Sequence, residues 1–375
     1  MIDLQDSRNE IDRVDKEMVR LFEYRMQLTR DVAEYKIQTG KKVYDKEREA
    51  GKLTALKALA GNEFNRHGVE ELFTQIMSMS RKMQYSLIGK KDSDIPFTEI
   101  EDIDVTPNTK VICFGAKGSY TEQAFREYFG PEAAEENAGT FKEVMEKVSN
   151  GICDYGVLPI ENTSTGGITD IYDLLVEYDI SIMGEYILKV DHALLGLREA
   201  ELKDITKVYS HPQGLMQCQK FLAANPQIKP MECTSTSDGA KKVLTDGDIT
   251  QAALAGKQTA EVYGLKILKE QVNHESTNST RFIIIGKEKK YKKNAKKLSI
   301  CFELPHESGT LYNMLSHFIY NNLNMTKIES RPLEGKNFEY RFFVDFEGNL
   351  KDPGVRNALF GINEEAISLK ILGNY

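Results

Sequence analysis

The chain lacks the signatures of several large protein classes. Its five cysteines (Cys113, Cys153, Cys218, Cys233 and Cys301) stand singly with no CxxC spacing. That argues against a zinc site and against a disulfide framework, and leaves reduced, structural thiols. No apolar run reaches about 18 residues, and the polar start MIDLQDSRNE has no apolar signal core. A cytoplasmic protein with no membrane partner is expected. Net positive charge is absent too: a balance of −8 and a pI near 5.5 oppose a nucleic-acid surface as the main partner. Gly115 and Gly118 form neither GxGxxG nor a Walker loop, so a nucleotide site rests on glycine richness alone and is set aside. A small-molecule role remains.

What is present is 375 residues, 41% of them hydrophobic, enough for two or three domains at about 150 residues each. From Leu4 to about Gln38 the chain is free of Pro and Gly and helical in pattern, stopping at Gly40. Helices over about Asp45–Leu59 and Val69–Leu87 complete an all-helical unit, residues 1–90. Residues 91–109 are acidic, carry two prolines and lack periodicity, which reads as a linker. From 110 to 286, β-rich runs (VICF, YGVLPI, ISIM, KVYS, FIII) alternate with helical patterns, as in a largely parallel α/β sheet. Residues 287–296 are lysine-rich and read as a second, solvated linker. Residues 297–375 spell βαββαβ.

In the first helix Leu4, Ile11, Val14, Met18, Leu21, Leu28, Val32 and Tyr35 form a coiled-coil-like seam that needs a long partner. Arg25 interrupts it, and its helical neighbours Leu21, Phe22, Leu28 and Thr29 offer no carboxylate. A buried unpaired cation costs several kcal/mol, so an anion from outside the helix is implied. Lys36 lies about 20° away around the helix and Arg8 beside the same seam, but Arg8 and Arg25 are about 25 Å apart along it. Only an antiparallel partner helix brings them together, hence an intertwined homodimer with mixed sites. Asp45, Arg48 and Glu49 share one face of the second helix, and Ser80, next to Gln84, interrupts the seam of the third. Taken alone the Asp45 cluster fits a solvated face; beside Arg25 and Ser80 it fits a pocket better.

Arg8, Arg25, Lys36, Asp45, Arg48, Glu49, Ser80 and Gln84 resemble, in order and nearly in spacing, the active-site set of the all-helical chorismate mutases. The resemblance implies that Arg8, from the partner chain, and Arg25 hold the carboxylates of chorismate. Lys36 and Gln84 then donate to the ether oxygen, Asp45 and Glu49 meet the hydroxyl region, and Arg48 and Ser80 complete the pocket. A pericyclic rearrangement involves no nucleophile or proton transfer, so the protein helps by holding the compact substrate and stabilising charge on the breaking C–O bond.

The α/β segment gathers small polar residues after its expected strands: GAKGSYT (115–121), IENTSTGG (160–167), HPQG (211–214), CTSTS (233–237) and HESTNSTR (274–281). Such loops face the ligand crevice in alternating α/β folds. His211, before a proline, reads as structural. The runs FGAKGSYTEQAF, LPIENTSTGGITDIYDLL, HPQGLMQCQKFL and NSTRF resemble prephenate dehydratase across 110–286. The resemblance implies two α/β lobes about a hinge, like periplasmic binding proteins, and no metal or organic cofactor. It gives Thr280 a part in the departure of the ring hydroxyl of prephenate and Arg281 one in orienting substrate. Ser119, Asn162, Thr163, Gln213, Thr236, Ser237 and Asn278 become cleft contacts. In the tail, SGTLYNML and ESRP resemble phenylalanine-binding elements of ferredoxin-like ACT regulatory domains, implying effector contacts at Gly309, Thr310, Leu311, Glu329, Ser330, Arg331 and Pro332. Family members often have Ala where Thr310 stands, which leaves effector affinity and identity open. The expectation is thus a two-step enzyme of phenylalanine biosynthesis. The rivals are an arogenate dehydratase and a non-catalytic ligand sensor, the latter opposed by the helical segment.

Overall fold

The computed structural model describes residues 3–88, 95–274, 277–333 and 335–375. Residues 91–94 of the expected first linker, and Glu275 and Ser276 of the HESTNSTR loop, lie outside the described residues. The chain divides into two compact units, Met1–Pro96 with Ile300–Lys370 and Phe97–Ser299 with Ile371–Tyr375.

In the first unit, helix α1 (Leu4–Thr39) begins at Asp3, whose carboxylate accepts from the Gln5 and Asp6 amides, and ends at Gly40 with φ of 68°. Glycine suits that left-handed turn, where its N–H reaches the Lys36 carbonyl at 2.9 Å. Helix α2 (Lys46–Ala58) is capped by Asp45. Helix α3 (Glu63–Ile88) starts earlier than the sequence pattern suggests, because its first turns carry no apolar stripe and Gly68 reads as a boundary that the helix tolerates. Over Met77–Tyr85, Met77, Ser78, Ser80, Arg81, Lys82, Gln84 and Tyr85 are all buried. This stretch packs against α1 and α2 and against the helices Thr310–Tyr320 and Pro353–Glu365. Those two helices alternate with strands in the order strand (Lys297–Glu303), helix, strand (Met325–Pro332), strand (Tyr340–Glu347), helix, strand (Ser368–Asn374). The two middle strands pair antiparallel, Arg331 facing Arg341. Phe302, Phe318, Phe346 and Ile362 fill the core beneath.

The α1 seam is where the structure departs from a self-contained helical unit. Leu4, Ile11, Val14, Met18, Leu21, Leu28 and Tyr35 are 47–63% exposed. The face of α1 turned inward is another one, carrying the buried Thr29 and Ala33 and the half-buried Arg25 and Lys36. Arg25 therefore sits beside the seam and not in it.

The second unit holds two lobes, as the resemblance implies, each built on a mixed sheet and not on the largely parallel one that the alternation of strand and helix patterns suggests. The first runs Ala134–Ala138, Lys110–Phe114, Tyr155–Asn162, Ser279–Gly286, Ser181–Lys189; Ser279–Gly286 is antiparallel to both neighbours. The second runs Lys266–Lys269, His192–Gly196, Gln251–Gly256, Lys207–Ser210, Lys229–Glu232. Each sheet has its own apolar core, around Phe125, Val157 and Phe282 in one and around Leu194, Val208 and Leu254 in the other. The chain passes between these lobes twice, near Val190 and near Asn278, where the Val190 amide donates to the Asn278 carbonyl at 2.8 Å.

The stretches expected as linkers are partly built into this unit. Thr98–Ile100 and Lys290–Lys292 pair as a parallel two-stranded ribbon. Tyr291 turns inward, while Lys292 reaches Asp102 at 2.7 Å and Lys293 reaches Glu101 at 2.9 Å. Acidic and basic runs that look like solvated linkers one at a time neutralise each other once paired.

Candidate active sites

The first site lies where α1, α2 and α3 meet. Arg25 Nη1 donates to Ser80 Oγ, and Ser80 Oγ in turn donates to the Ile76 carbonyl at 2.8 Å. Lys36 Nζ donates to the Val43 carbonyl at 2.7 Å. Gln84 Nε2 gives one N–H to the Ser80 carbonyl at 3.2 Å, keeping the other. Asp45 Oδ1 accepts from the Arg48 amide at 3.1 Å, so one of its oxygens is committed to starting α2. Burial pushes the Arg25 guanidinium below its ordinary value; Glu49 opposes that fall and Arg48 adds to it. Burial and Arg48 likewise depress the Lys36 ammonium against the pull of Asp45 and Glu49. Cations weakened by their own desolvation gain from an incoming anion. Thus Arg25, Lys36, Asp45, Arg48, Glu49, Ser80 and Gln84 share one electrostatic neighbourhood, whereas Arg8 is exposed on the far half of α1.

Sequence reasoning missed Arg81. Its guanidinium pairs with Glu49, meets Glu365 through Nε at 2.8 Å and lies over the Tyr44 ring, 4.9 Å from the centroid. Burial acts against that charge, but Glu365 and Glu49 hold it and raise its pKa above the ordinary value. The adjacent cations of SRK, next to two positions already singled out, were the available signal.

The second site lies in the two-lobed unit. The amide of Asn162, at the end of its strand, donates to Thr280 Oγ1 and Asn278 Oδ1, both at 2.9 Å. Ser164 Oγ also reaches Asn278 Oδ1 at 3.3 Å, and Thr163 Oγ1 accepts from the Ser279 amide at 3.0 Å. From the other lobe, Gln213 Nε2 donates to Thr165 Oγ1 at 2.9 Å. The Thr236 methyl lies near Gly214, next to Gln213. Asn162, Thr163, Gln213, Thr236, Asn278 and Thr280 therefore line one region.

Three other expected residues make contacts of their own. Arg281 follows Thr280 on a strand and so points to the opposite face. There it pairs with Glu185 at 2.7 Å and donates to Tyr375 Oη at 2.7 Å. Ser237 is fully buried, 3.2 Å from Ser235 Oγ, and supports its helix start. Ser119 caps the helix Tyr120–Phe129, accepting from the Glu122 amide at 3.3 Å. His211 caps its helix, its Nδ1 accepting from the Gln213 amide at 3.2 Å. In the tail, Gly309 (φ 80°) opens the helix Thr310–Tyr320, and Thr310 Oγ1 donates to the Pro305 and Glu307 carbonyls at 3.1 and 3.0 Å. Leu311 is half-buried on that helix. Strand alternation separates Glu329 and Arg331 on one face from the exposed Ser330 and Pro332 on the other.

A cation-rich pocket among three helices and a neutral, polar cleft between two α/β lobes fit an enzyme with two separate small-molecule sites. Residues 7–85 match the family model for chorismate mutase type II, and residues 111–290 that for prephenate dehydratase. The bifunctional chorismate mutase/prephenate dehydratase of Pseudomonas aeruginosa is 32% identical over 98% of this chain and 96% of its own length. Among solved structures, a prephenate dehydratase from Arthrobacter aurescens in complex with L-Phe is 27% identical with a TM-score of 0.67, covering 71% of this chain and 89% of that one. A protein described as a quorum quenching acylase is 28% identical with a TM-score of 0.66, covering 71% of this chain and 97% of that one. The chain belongs to the bifunctional chorismate mutase/prephenate dehydratase family. It is an enzyme of phenylalanine biosynthesis carrying both activities. Among the described residues no helix is long and apolar enough to cross a membrane.

Proposed function

We propose that the two reactions run at the two sites described, prephenate from the helical site being the substrate of the cleft. Arg25 and the partner chain's copy of Arg8 hold the carboxylates of chorismate. Lys36 and Gln84 donate to the breaking ether oxygen, Asp45 and Glu49 face the hydroxyl, and Arg48 and Ser80 close the pocket. In the cleft, Asn162 donates into Thr280 Oγ1, leaving the Thr280 O–H to donate to the departing hydroxyl; that bond carries the assignment. Asn278, Thr163, Gln213 and Thr236 orient the substrate, and closure of the lobes, as in periplasmic binding proteins, sequesters it. Arg281 acts at a distance, by fixing the strand that carries Thr280. No metal or organic cofactor enters either step.

Oligomerisation through the exposed α1 seam supplies Arg8. Residues 297–375 act as a ferredoxin-like ACT module that takes L-phenylalanine at Gly309–Leu311 and Glu329–Pro332, a reading supported by strand order and by the L-Phe complex of the relative. The domain division is then 1–90, 110–286 and 297–375, although residues 300–370 pack with the helices. Five free cysteines fit a reducing, cytoplasmic setting. Calorimetric titration of the full chain with L-phenylalanine, alongside a coupled assay from chorismate to phenylpyruvate, tests the effector reading. Saturable binding that suppresses phenylpyruvate formation is expected; no binding by a chain active in both assays would refute it.

A further inference from the structure

We propose that Arg81 is a positioning residue of the mutase site, holding Glu49 on one side while being held by Glu365 of the C-terminal module on the other. The observation is one guanidinium between two carboxylates: Glu49 and Glu365 both pair with Arg81, whose side chain is 7% exposed. Glu365 is anchored in turn by Tyr85 Oη, donating at 3.2 Å, with His317 Nε2 3.4 Å away. Glu49, at 23% exposed, is the more open member of the group, and its charge is felt at both Arg25 and Lys36. It stands where the buried chain of charges meets the site.

A buried cation must be neutralised, so the two carboxylates share a single demand. While Glu365 supplies part of the neutralisation, Glu49 can keep an oxygen toward the site. If Glu365 withdraws or loses its charge, Arg81 draws Glu49 onto itself and out of reach of a substrate hydroxyl. Glu365 is the last residue of the helix Pro353–Glu365. His317 and Ser316 lie on the helix Thr310–Tyr320, where Ser316 Oγ accepts from Lys82 Nζ at 2.7 Å. The placement of these two helices therefore reaches the mutase site through named side chains. The inference rests on Glu49 being a substrate contact, as proposed above.

The test is steady-state mutase kinetics on full-length Arg81→Met, Arg81→Lys, Glu365→Gln and Glu49→Gln, with turnover of added prephenate as an internal control. A contact with the substrate hydroxyl exists already in the ground state, so its loss raises KM. Unfolding of part of the sample lowers apparent kcat without moving KM. Arg81→Met and Glu365→Gln are expected to raise KM for chorismate roughly tenfold, the worth of one charge-assisted hydrogen bond. Arg81→Lys should recover part of that loss, and prephenate turnover should stay within about twofold. If Glu49→Gln raises KM while none of the other three does, Arg81 is only structural and the proposal is overturned. If Glu49→Gln also leaves KM and kcat unchanged, the reading of Glu49 fails first, and the proposal falls with it.

Discussion

Mixing two inactive variants tests the shared mutase site. Arg8 and Arg25 are 17 positions apart on one unbroken helix, which at 1.5 Å per residue separates them by about 25 Å. One substrate molecule cannot span that gap, so Arg8→Ala and Arg25→Ala should each abolish chorismate turnover while leaving prephenate turnover intact. If Arg8 comes from a partner packed on the exposed seam, a mixed dimer has one site built from two intact arginines and one site lacking both. Random reassortment makes half the dimers mixed, so the pool should recover roughly a quarter of wild-type mutase activity. The variants are unfolded together in guanidinium, refolded by dilution and assayed for loss of chorismate absorbance, with each parent treated alone as the blank. A mixture no more active than its parents would refute the shared site, as would full activity in Arg8→Ala.

Three further outcomes follow from particular contacts. Gly118 has φ of +78° and a Cβ there would stand 3.2 Å from the Thr259 methyl, so Gly118→Ala should cost about 2 kcal/mol, read as a lower denaturation midpoint of the dehydratase unit with mutase activity preserved. Asn162→Leu removes the donor to Thr280 and Asn278 and should lower kcat on prephenate at least about tenfold, with chorismate turnover unchanged. Burial works to raise the Glu365 carboxyl, but His317 and Arg81 hold it down to about 2. Its folded value lies below its unfolded value of about 4.3, so its stabilisation is complete above that pH and lost as pH falls toward 2. Denaturant midpoints measured across that window should fall less steeply in Glu365→Gln than in the wild type.

Much of this molecule is legible one segment at a time, because the local signals are strong. Gly40 marks the end of α1 by capping chemistry alone, and Arg25 without a local carboxylate points to an external anion. Thr280 and Asn162 were found through resemblance, and the structure joins them by a direct hydrogen bond. What escaped depends on packing between distant segments. Arg81 and Lys82 look like solvent-facing charges until helices more than 200 positions later cover that side of α3. The pairing of Thr98–Ile100 with Lys290–Lys292 inside the stretches read as linkers is hidden for the same reason, since neither run reveals its opposite charge partner alone. The motifs suggest cleft roles for Arg281 and Ser237 but not their protein contacts, Arg281 with Glu185 and Ser237 buried beside Ser235. The α1 seam reads in the sequence as needing a partner helix, and its residues are exposed in the single chain.

The most direct test of two independent sites on one chain is to measure both turnovers in Arg25→Ala and Thr280→Ala, each checked for folding by circular dichroism. Arg25→Ala should lose the conversion of chorismate and keep that of prephenate, and Thr280→Ala should do the reverse. Loss of both activities in either folded variant would contradict the division of labour on which the account rests.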